Sequence, residues 1–488
     1  MSKETALPDV SFDLPPEEFR RLGHQLIELM IETLEAERSD PVLRPVTGPE
    51  IRGLIDEPLP QSGSSIDDIM IQWRDVLSRH SRRHGHPRFF GYVCTSADPL
   101  GMLADAMAST VNQLVTAWRS SPPAIEIERL VLRWLDELVG FGANGNGLLV
   151  SGGSMANFHG LACAVTQAEL HANLPPGSRH RLAVYMSREG HVSMKKAAQL
   201  LGLPPDNVRL LDIDEGRRLQ TDALRTQLEE DRAAGLIPAA VCVSSGTANT
   251  GTIDPLNDVS EICQEYGVWF HIDGSYGAPA VMTKDYAWMA EAFGRADSLS
   301  LDPHKWLFAP ADAGCVLIRD EEISRRTFTL FSEYTTITQT DPIERFAFFD
   351  HGLEMSRRFR GLKVWTILKA RGADRIAGVI QHDIDLRRHL DARIDAEHRL
   401  EPLGSELSIA CFRYVPESEV SDERLNAINQ TIVETLIAEG RCYMSPTTLE
   451  GRYALRVCII NFRTQREDID FLVDEVLRIG RDAEGSTG

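Results

Sequence analysis

In the segment SLSLDPHKWLFAP an apolar run ends at Asp302, and His304 and Lys305 follow at once. A lysine after a strand is usually a surface charge, but Lys305 is followed by Trp306, Leu307 and Phe308 and bracketed by Pro303 and Pro310. Apolar company disfavours an ammonium, so a lowered pKa is expected, and a neutral amine can form an imine with an aldehyde. Upstream, VWFHIDGSYGAPA delivers Asp273 at the end of another apolar run. Such an aspartate either caps a turn or offers its carboxylate to a protonated ring nitrogen, and the small residues Gly274, Ser275, Gly277 and Ala278 let a flat ring approach the backbone. A third segment, LLVSGGSMANFHG, reads as strand, glycine-rich turn and helix, an order that aims backbone N–H groups at an anion, with Ser151 and Ser154 as hydroxyl donors. It lacks the lysine of a P-loop and the full spacing of a dinucleotide fingerprint. In SREGHVSMKKAAQLLG, His191 stands between a strand and a helix, where it either caps the helix or stacks on a ring. Each of the four has an ordinary structural reading, and amine, carboxylate, anion cradle and imidazole in combination would suit a phosphorylated aromatic aldehyde with a ring nitrogen.

These residues need a frame. From about Leu100 to Gly372 helical stretches alternate with short apolar runs, the pattern of a mainly parallel sheet covered on both faces. The runs begin at Gly147, Arg181, Val208, Ala239, Val268, Asp297 and Gly314. After Lys369 come a long charged helix and the strands SIACFRYV and YALRVCIINF around another helix, which predicts a smaller α+β unit. Ahead of the frame, Pro15 to Glu37 sets Phe19, Leu22, Leu26, Leu29 and Met30 at helical spacing, and a single amphipathic helix cannot bury its stripe alone. Pro41 to Gly63 reads as extended, and SSIDDIMIQWRDVLSRH as helical again. The expected division is an N-terminal helical arm over 1–96, a large domain over 97–370 and a small α+β domain over 371–488.

Composition excludes some partners. With 51 Lys+Arg against 72 Asp+Glu the net charge is −21, so the molecule repels nucleic acid and anionic membrane surfaces. The eight cysteines include no pair at zinc or redox spacing, so no metal is expected, and scattered thiols in apolar company suit a reducing cytoplasm. The amino terminus lacks the basic-then-apolar order of a secretion signal, and no apolar stretch reaches membrane-spanning length; a cytoplasmic protein is expected.

The order of these motifs is also that of a known family. The chain resembles the group II pyridoxal-phosphate (PLP) decarboxylases, most closely the branch of aromatic-L-amino-acid (DOPA, tryptophan, tyrosine) decarboxylases. The resemblance runs from HPRFFGY at His86 through WRSSPPAIEIE, SGGSMAN, GHVSMKKA, SSGTANTGTIDPL, HIDGSYGAPA and DPHKWL to RRFRGLKVW at Arg357 and YALRVCIINFRT. It implies the aspartate-aminotransferase type of PLP fold (fold type I), α-decarboxylation of an L-amino acid to its amine, and a homodimer that exchanges N-terminal arms so that each site is built from both chains. It further implies that Lys305 carries the cofactor, Asp273 faces the pyridine nitrogen, His191 stacks on the ring, Gly153 and Ser154 hold the phosphate with Thr247 and Ser275 nearby, and His304 sits beside the imine. Tyr334, in TLFSEYTTITQTDPIERF, falls where the family carries a tyrosine on a mobile loop that protonates the α-carbon. His86, Phe90, Tyr92, Val93, Thr95, Leu114 and Thr116 would face the substrate.

The chain departs from the family pattern in places. Ala248 stands where many relatives have a second threonine, and Asp302 where some have asparagine; a carboxylate beside a phosphate is unfavourable unless it faces another donor. Val93 and Thr116 replace phenylalanines of animal enzymes, which widens the pocket. Two rivals on the same scaffold are an acidic-amino-acid decarboxylase, for which Arg88 or Arg119 would supply the cation, and an aldehyde synthase, which typically lacks the loop tyrosine.

Overall fold

The computed structural model describes residues 12–175, 177–330 and 340–485. Strand β1 is the pair Phe89–Phe90. The next seven form one sheet: β2 (Gly147–Val150), β3 (Leu182–Ser187), β4 (Val208–Leu211), β5 (Ile237–Ser244), β6 (Trp269–Asp273), β7 (Ser298–Leu301) and β8 (Gly314–Ile318). Their order is β2-β8-β7-β6-β5-β3-β4. Only β8 runs against the rest, pairing antiparallel with both neighbours. All seven arise from the apolar runs expected from sequence. Strands β2, β6, β7 and β8 are buried at every residue, because helices cover both faces, and a doubly covered strand reads as continuously apolar rather than alternating.

A second sheet, β1-β11-β12-β10-β9, joins the two ends of the chain. Its other members are β9 (Leu400–Glu406), β10 (Ile409–Tyr414), β11 (Tyr443–Leu449) and β12 (Arg452–Cys458). Alternation along β12 sends Leu455 and Val457 into the core of this sheet, and Ala454 and Cys458 into the core of the large sheet. Arg456 lies between them in register and therefore on the face toward the large sheet. The helix Ala373–Asp395 ties the two cores together, with Ile376, Ile380 and Ile384 in the first and Leu386, Leu390 and Ile394 in the second.

The N-terminal helix Pro16–Ser39 starts on a proline, with Glu17 and Glu18 in its first turn, and buries none of its residues. β1 pairs in parallel with β11, Phe89 opposite Tyr443 and Phe90 opposite Met444. Among the described residues no helix is long and apolar enough to cross a membrane, and the eight cysteines are all free.

Candidate active site

A cavity of about 700 Å³ opens at the carboxyl ends of the parallel strands, where open α/β sheets place their ligands. Each wall is the continuation of a strand: Gly152 to Ser154 after β2, His191 after β3, Gly246 to Asn249 after β5, Asp273 at the tip of β6, and Asp302, His304 and Lys305 after β7. Tyr92, Val93 and Cys94 close it from the segment after β1, and Ser445, Pro446 and Arg456 from the second sheet.

Asp273 is buried and fully engaged. Its Oδ1 accepts from the Ser275 N–H at 3.1 Å and the Ser300 hydroxyl at 3.2 Å, and its Oδ2 from the Asn157 amide at 2.8 Å. Burial alone would raise the carboxyl pKa; the hydrogen bond from Ser275, the Lys305 and His191 charges and the Asn157 bond outweigh it and hold the group below its ordinary range. It is a carboxylate, and a cationic ring nitrogen is the partner such a group suits.

The expectation of a lowered lysine pKa does not hold for Lys305. Burial does push it down, but its Nζ sits 2.9 Å from Asp302 Oδ2, and that carboxylate, with Asp273, carries the net shift above the ordinary lysine value. Asp302 thus faces another donor, as an aspartate in this position requires. Its Oδ1 is buried without a hydrogen-bond partner, and His304 Nε2 lies 3.7 Å from its Oδ2. His304 accepts the Ala313 N–H on Nδ1, and burial lowers its pKa, so it is a neutral imidazole beside the amine.

The glycine-rich turn leads into the helix Gly153–His171, whose first N–H groups have no partner within the helix. A Cβ on Gly153 would lie 2.3 Å from Ser275 Oγ and 2.9 Å from Asp302 Oδ2, so any other residue would fill the cradle. Ser151, Ser154 and Ser275 line it, and Thr247, also on the wall, has its hydroxyl 3.2 Å from that of Thr250. The residues present fit a phosphorylated ring aldehyde: an N–H cradle, a carboxylate on the opposite strand tip, and an amine 2.9 Å from Asp302 with His304 on the same wall.

The other sequence-predicted residues divide. Tyr92 and Val93 line the cavity. His86, Phe90, Thr95, Leu114 and Thr116 do not line it in the single chain: His86 accepts the Arg88 N–H, Phe90 lies in the core of the second sheet, Thr95 donates to Ile460 O at 2.6 Å, Leu114 is exposed and Thr116 bonds Ser120. Tyr334 falls outside the described residues. Arg88 is committed elsewhere, 2.9 Å from Asp468 and over the Phe471 ring. The charges of RRFRGLK are structural too: Arg357 pairs with buried Glu128, Arg360 with Asp312 and Glu354, and Lys363 with Asp105.

Two residues of the site were not anticipated. Arg456 donates from Nε to the Ala248 and Asn249 carbonyls and from Nη1 to Tyr92 O and Ser445 Oγ. Asn157 reaches Asp273 across 116 positions of sequence.

A family model described as the pyridoxal-dependent decarboxylase conserved domain matches residues 49–415. The aromatic-L-amino-acid decarboxylase of Bacillus atrophaeus is 35% identical over 460 residues, covering 94% of this chain and 95% of that protein. Among solved structures, Catharanthus roseus tryptophan decarboxylase in complex with L-tryptophan superposes with a TM-score of 0.89 at 27% identity, covering 97% of this chain and 100% of that one. Mouse CSAD superposes equally well, with a TM-score of 0.89 at 27% identity over 96% of this chain and 99% of that one.

Proposed function

Because the chain belongs to the pyridoxal-dependent decarboxylase family, with its PLP cofactor and fold type I scaffold, we propose that it decarboxylates an aromatic L-amino acid to the amine. Bound at this site, PLP supplies a cationic ring that takes up the electron pair released when carbon dioxide leaves. Lys305 is the residue that carries the cofactor aldehyde. To do so its ammonium must give up a proton, and the Asp302 carboxylate at 2.9 Å, which favours the charged form, sets the cost of that step. Asp273 holds the ring nitrogen in its cationic form. Gly153, Ser154 and Ser275 hold the phosphate, His191 covers the ring, and Tyr334 delivers the proton to the α-carbon. Arg456, on the cavity wall, receives the substrate's α-carboxylate and fixes the orientation of the bond to be broken.

The observation that carries the aromatic reading is the supply of guanidinium groups on the walls that this chain itself provides. Among the described residues Arg456 is the one arginine on the cavity wall, and every amino acid brings an α-carboxylate to occupy it. An acidic substrate would need a second cation. Arg88 is tied to Asp468 and Phe471, and Arg119 is not on that wall. The 35% identity to an aromatic-L-amino-acid decarboxylase supports the same reading.

A second copy of the chain completes this proposal. The helix Pro16–Ser39 leaves Phe19 at 65%, Ile27 at 40% and Ile31 at 43% exposure, an apolar stripe that an arm-exchanged homodimer would cover. Light scattering at assay concentration should give the mass of two chains, and an active monomer would refute it. Carbon dioxide release should be measured with L-tryptophan, L-phenylalanine, L-tyrosine and L-DOPA against L-glutamate, L-aspartate and L-cysteine sulfinate, scoring amine and aldehyde separately. A higher kcat/KM for any acidic substrate would overturn the aromatic reading, and aldehyde as the main product would make the enzyme an aldehyde synthase.

A further inference from the structure

Behind the cavity a chain of buried polar groups runs from the back of the sheet to the site. Trp269 Nε1 donates to Ser298 Oγ at 2.8 Å, and Ser298 Oγ lies 2.8 Å from His271 Nδ1. His271 Nε2 is 3.0 Å from Asn157 Oδ1. The Asn157 amino group then forks, to Asp273 Oδ2 at 2.8 Å and to Ser193 Oγ at 2.9 Å, and Ser193 Oγ stands 2.7 Å from His191 Nδ1. Trp269, Ser298, His271, Asn157, Ser193 and Asp273 are all buried.

The carboxylate end, with a neutral His271, fixes the direction of the bonds from Asp273 back to Trp269. The indole N–H can only donate and a carboxylate can only accept. Ser298, receiving the indole hydrogen, passes its own to His271 Nδ1. His271 must then carry its hydrogen on Nε2 and donate to Asn157 Oδ1, which turns the amide nitrogen toward Asp273. Reversing the amide would set an oxygen against the carboxylate. Burial lowers the His271 pKa to about 4, which keeps the ring in the neutral form this order needs. The helix Gly153–His171 comes close enough to close the chain because position 160 is glycine, where a Cβ would lie 2.7 Å from His271 Nδ1.

We propose that Asn157 is a positioning residue: one amide, oriented by His271, holds the Asp273 carboxylate that faces the ring nitrogen and, through Ser193, the His191 imidazole that covers the ring. This rests on the roles of Asp273 and His191 given above. Its consequence is that the two sides of the cofactor are aligned by a single group rather than independently.

The test is cofactor affinity, measured by titrating PLP into cofactor-free protein and following the absorbance of the bound cofactor, together with the pH profile of that absorbance. Loss of a hydrogen bond to a charged group predicts that Asn157→Ala weakens PLP affinity roughly 10–100-fold and shifts the pH profile. In an Asp273→Asn background the same substitution should cost less than about threefold, since the charge it acts on is gone. A purely structural role would lower affinity equally in both backgrounds, and that result overturns the proposal. Ser193→Ala, the milder change, carries the test if Asn157→Ala does not fold: it should lower kcat about tenfold with KM and PLP affinity near wild type, and an unchanged kcat overturns the proposal. If Asp273→Asn alone leaves affinity and kcat intact, the underlying site reading fails. If Asp273→Asn is impaired while Asn157→Ala is not, only the positioning role fails.

Discussion

Arg357 and Glu128 are both fully buried, and their pairing decides how β2 reaches the phosphate turn. Arg357 donates from Nη1 to Val115 O at 2.9 Å and from Nη2 to Leu149 O at 2.7 Å, and its guanidinium lies 4.3 Å from the centre of the Phe348 ring. Glu128 in turn accepts the Leu149 N–H at 3.2 Å. Arg357→Met would take the guanidinium donors from two buried carbonyls and leave the buried Glu128 carboxyl with the Leu149 N–H alone. Burial already raises the Glu128 pKa, and with the guanidinium gone that group would be driven to protonate. Removing one member of a buried pair costs about 3–5 kcal/mol. Unfolding entropy is about 2.1 cal/mol/K per residue, so a 488-residue chain that melts as one unit loses roughly 1 °C per kcal/mol. The expected fall in melting temperature by scanning calorimetry is therefore about 3–5 °C, with weaker PLP retention because β2 carries Gly152 to Ser154. Arg357→Met with Glu128→Leu should recover much of the loss, since an apolar pair of similar volume replaces the charged one. A single variant that melts within about 1 °C of wild type, or a double variant that loses the sum of both singles, would refute this account.

Lys305→Ala should abolish the visible absorbance of lysine-linked cofactor and lower turnover by several orders of magnitude; near-normal carbon dioxide release would remove Lys305 from the centre of the site. Tyr334→Phe takes away one hydroxyl, so carbon dioxide should still be released while product shifts from amine toward aldehyde and ammonia with dioxygen consumed; amine at the normal rate would move the proton-donor role to His304. Asp383 is fully buried, accepts the Trp306 indole N–H at 2.8 Å on Oδ2 and has no partner on Oδ1, and burial raises its pKa well above the ordinary aspartate value. The folded chain therefore binds a proton there that the unfolded chain releases above about pH 4, so this group's contribution to stability falls as pH rises. Asp383→Asn should gain in melting temperature relative to wild type between pH 5 and pH 8, and a difference independent of pH would contradict the assignment.

The large sheet was legible because each of its strands is a short apolar run between helices, from Gly147 to Gly314. The second sheet was half legible. SIACFRYV and YALRVCIINF show their strands, whereas β9 carries Pro402 and Gly404, β11 carries Pro446, and two-residue β1 has no period to detect. At the site, Lys305 was visible in its motif but its charge state was not. Trp306, Leu307 and Phe308 suggested a desolvated amine, while the deciding group was Asp302, three residues back and 2.9 Å away in space. Arg456 and Asn157 were invisible for a different reason. One sits in an alternating strand and the other in a helix, and only long-range packing sets them against Asp273 and the cavity. A residue whose partners lie more than a hundred positions away leaves no local periodicity.

The pairing of β1 with β11 bears on the order in which the molecule can be made. Phe89 and Tyr443 are neighbours across a ladder yet are separated by most of the chain, so that ladder cannot close until the C-terminal strands have been synthesised. Tyr92 and Val93 follow β1 directly and are part of the cavity wall. A nascent chain can thus complete its seven-stranded sheet, and with it Asp273 and Lys305, while this wall still waits for residues not yet translated. A circular permutant joining the native ends and opening elsewhere on the surface would put β11 ahead of β1 within a much shorter loop. Its refolding should gain the site wall sooner than the natural order allows, with the finished catalyst unchanged.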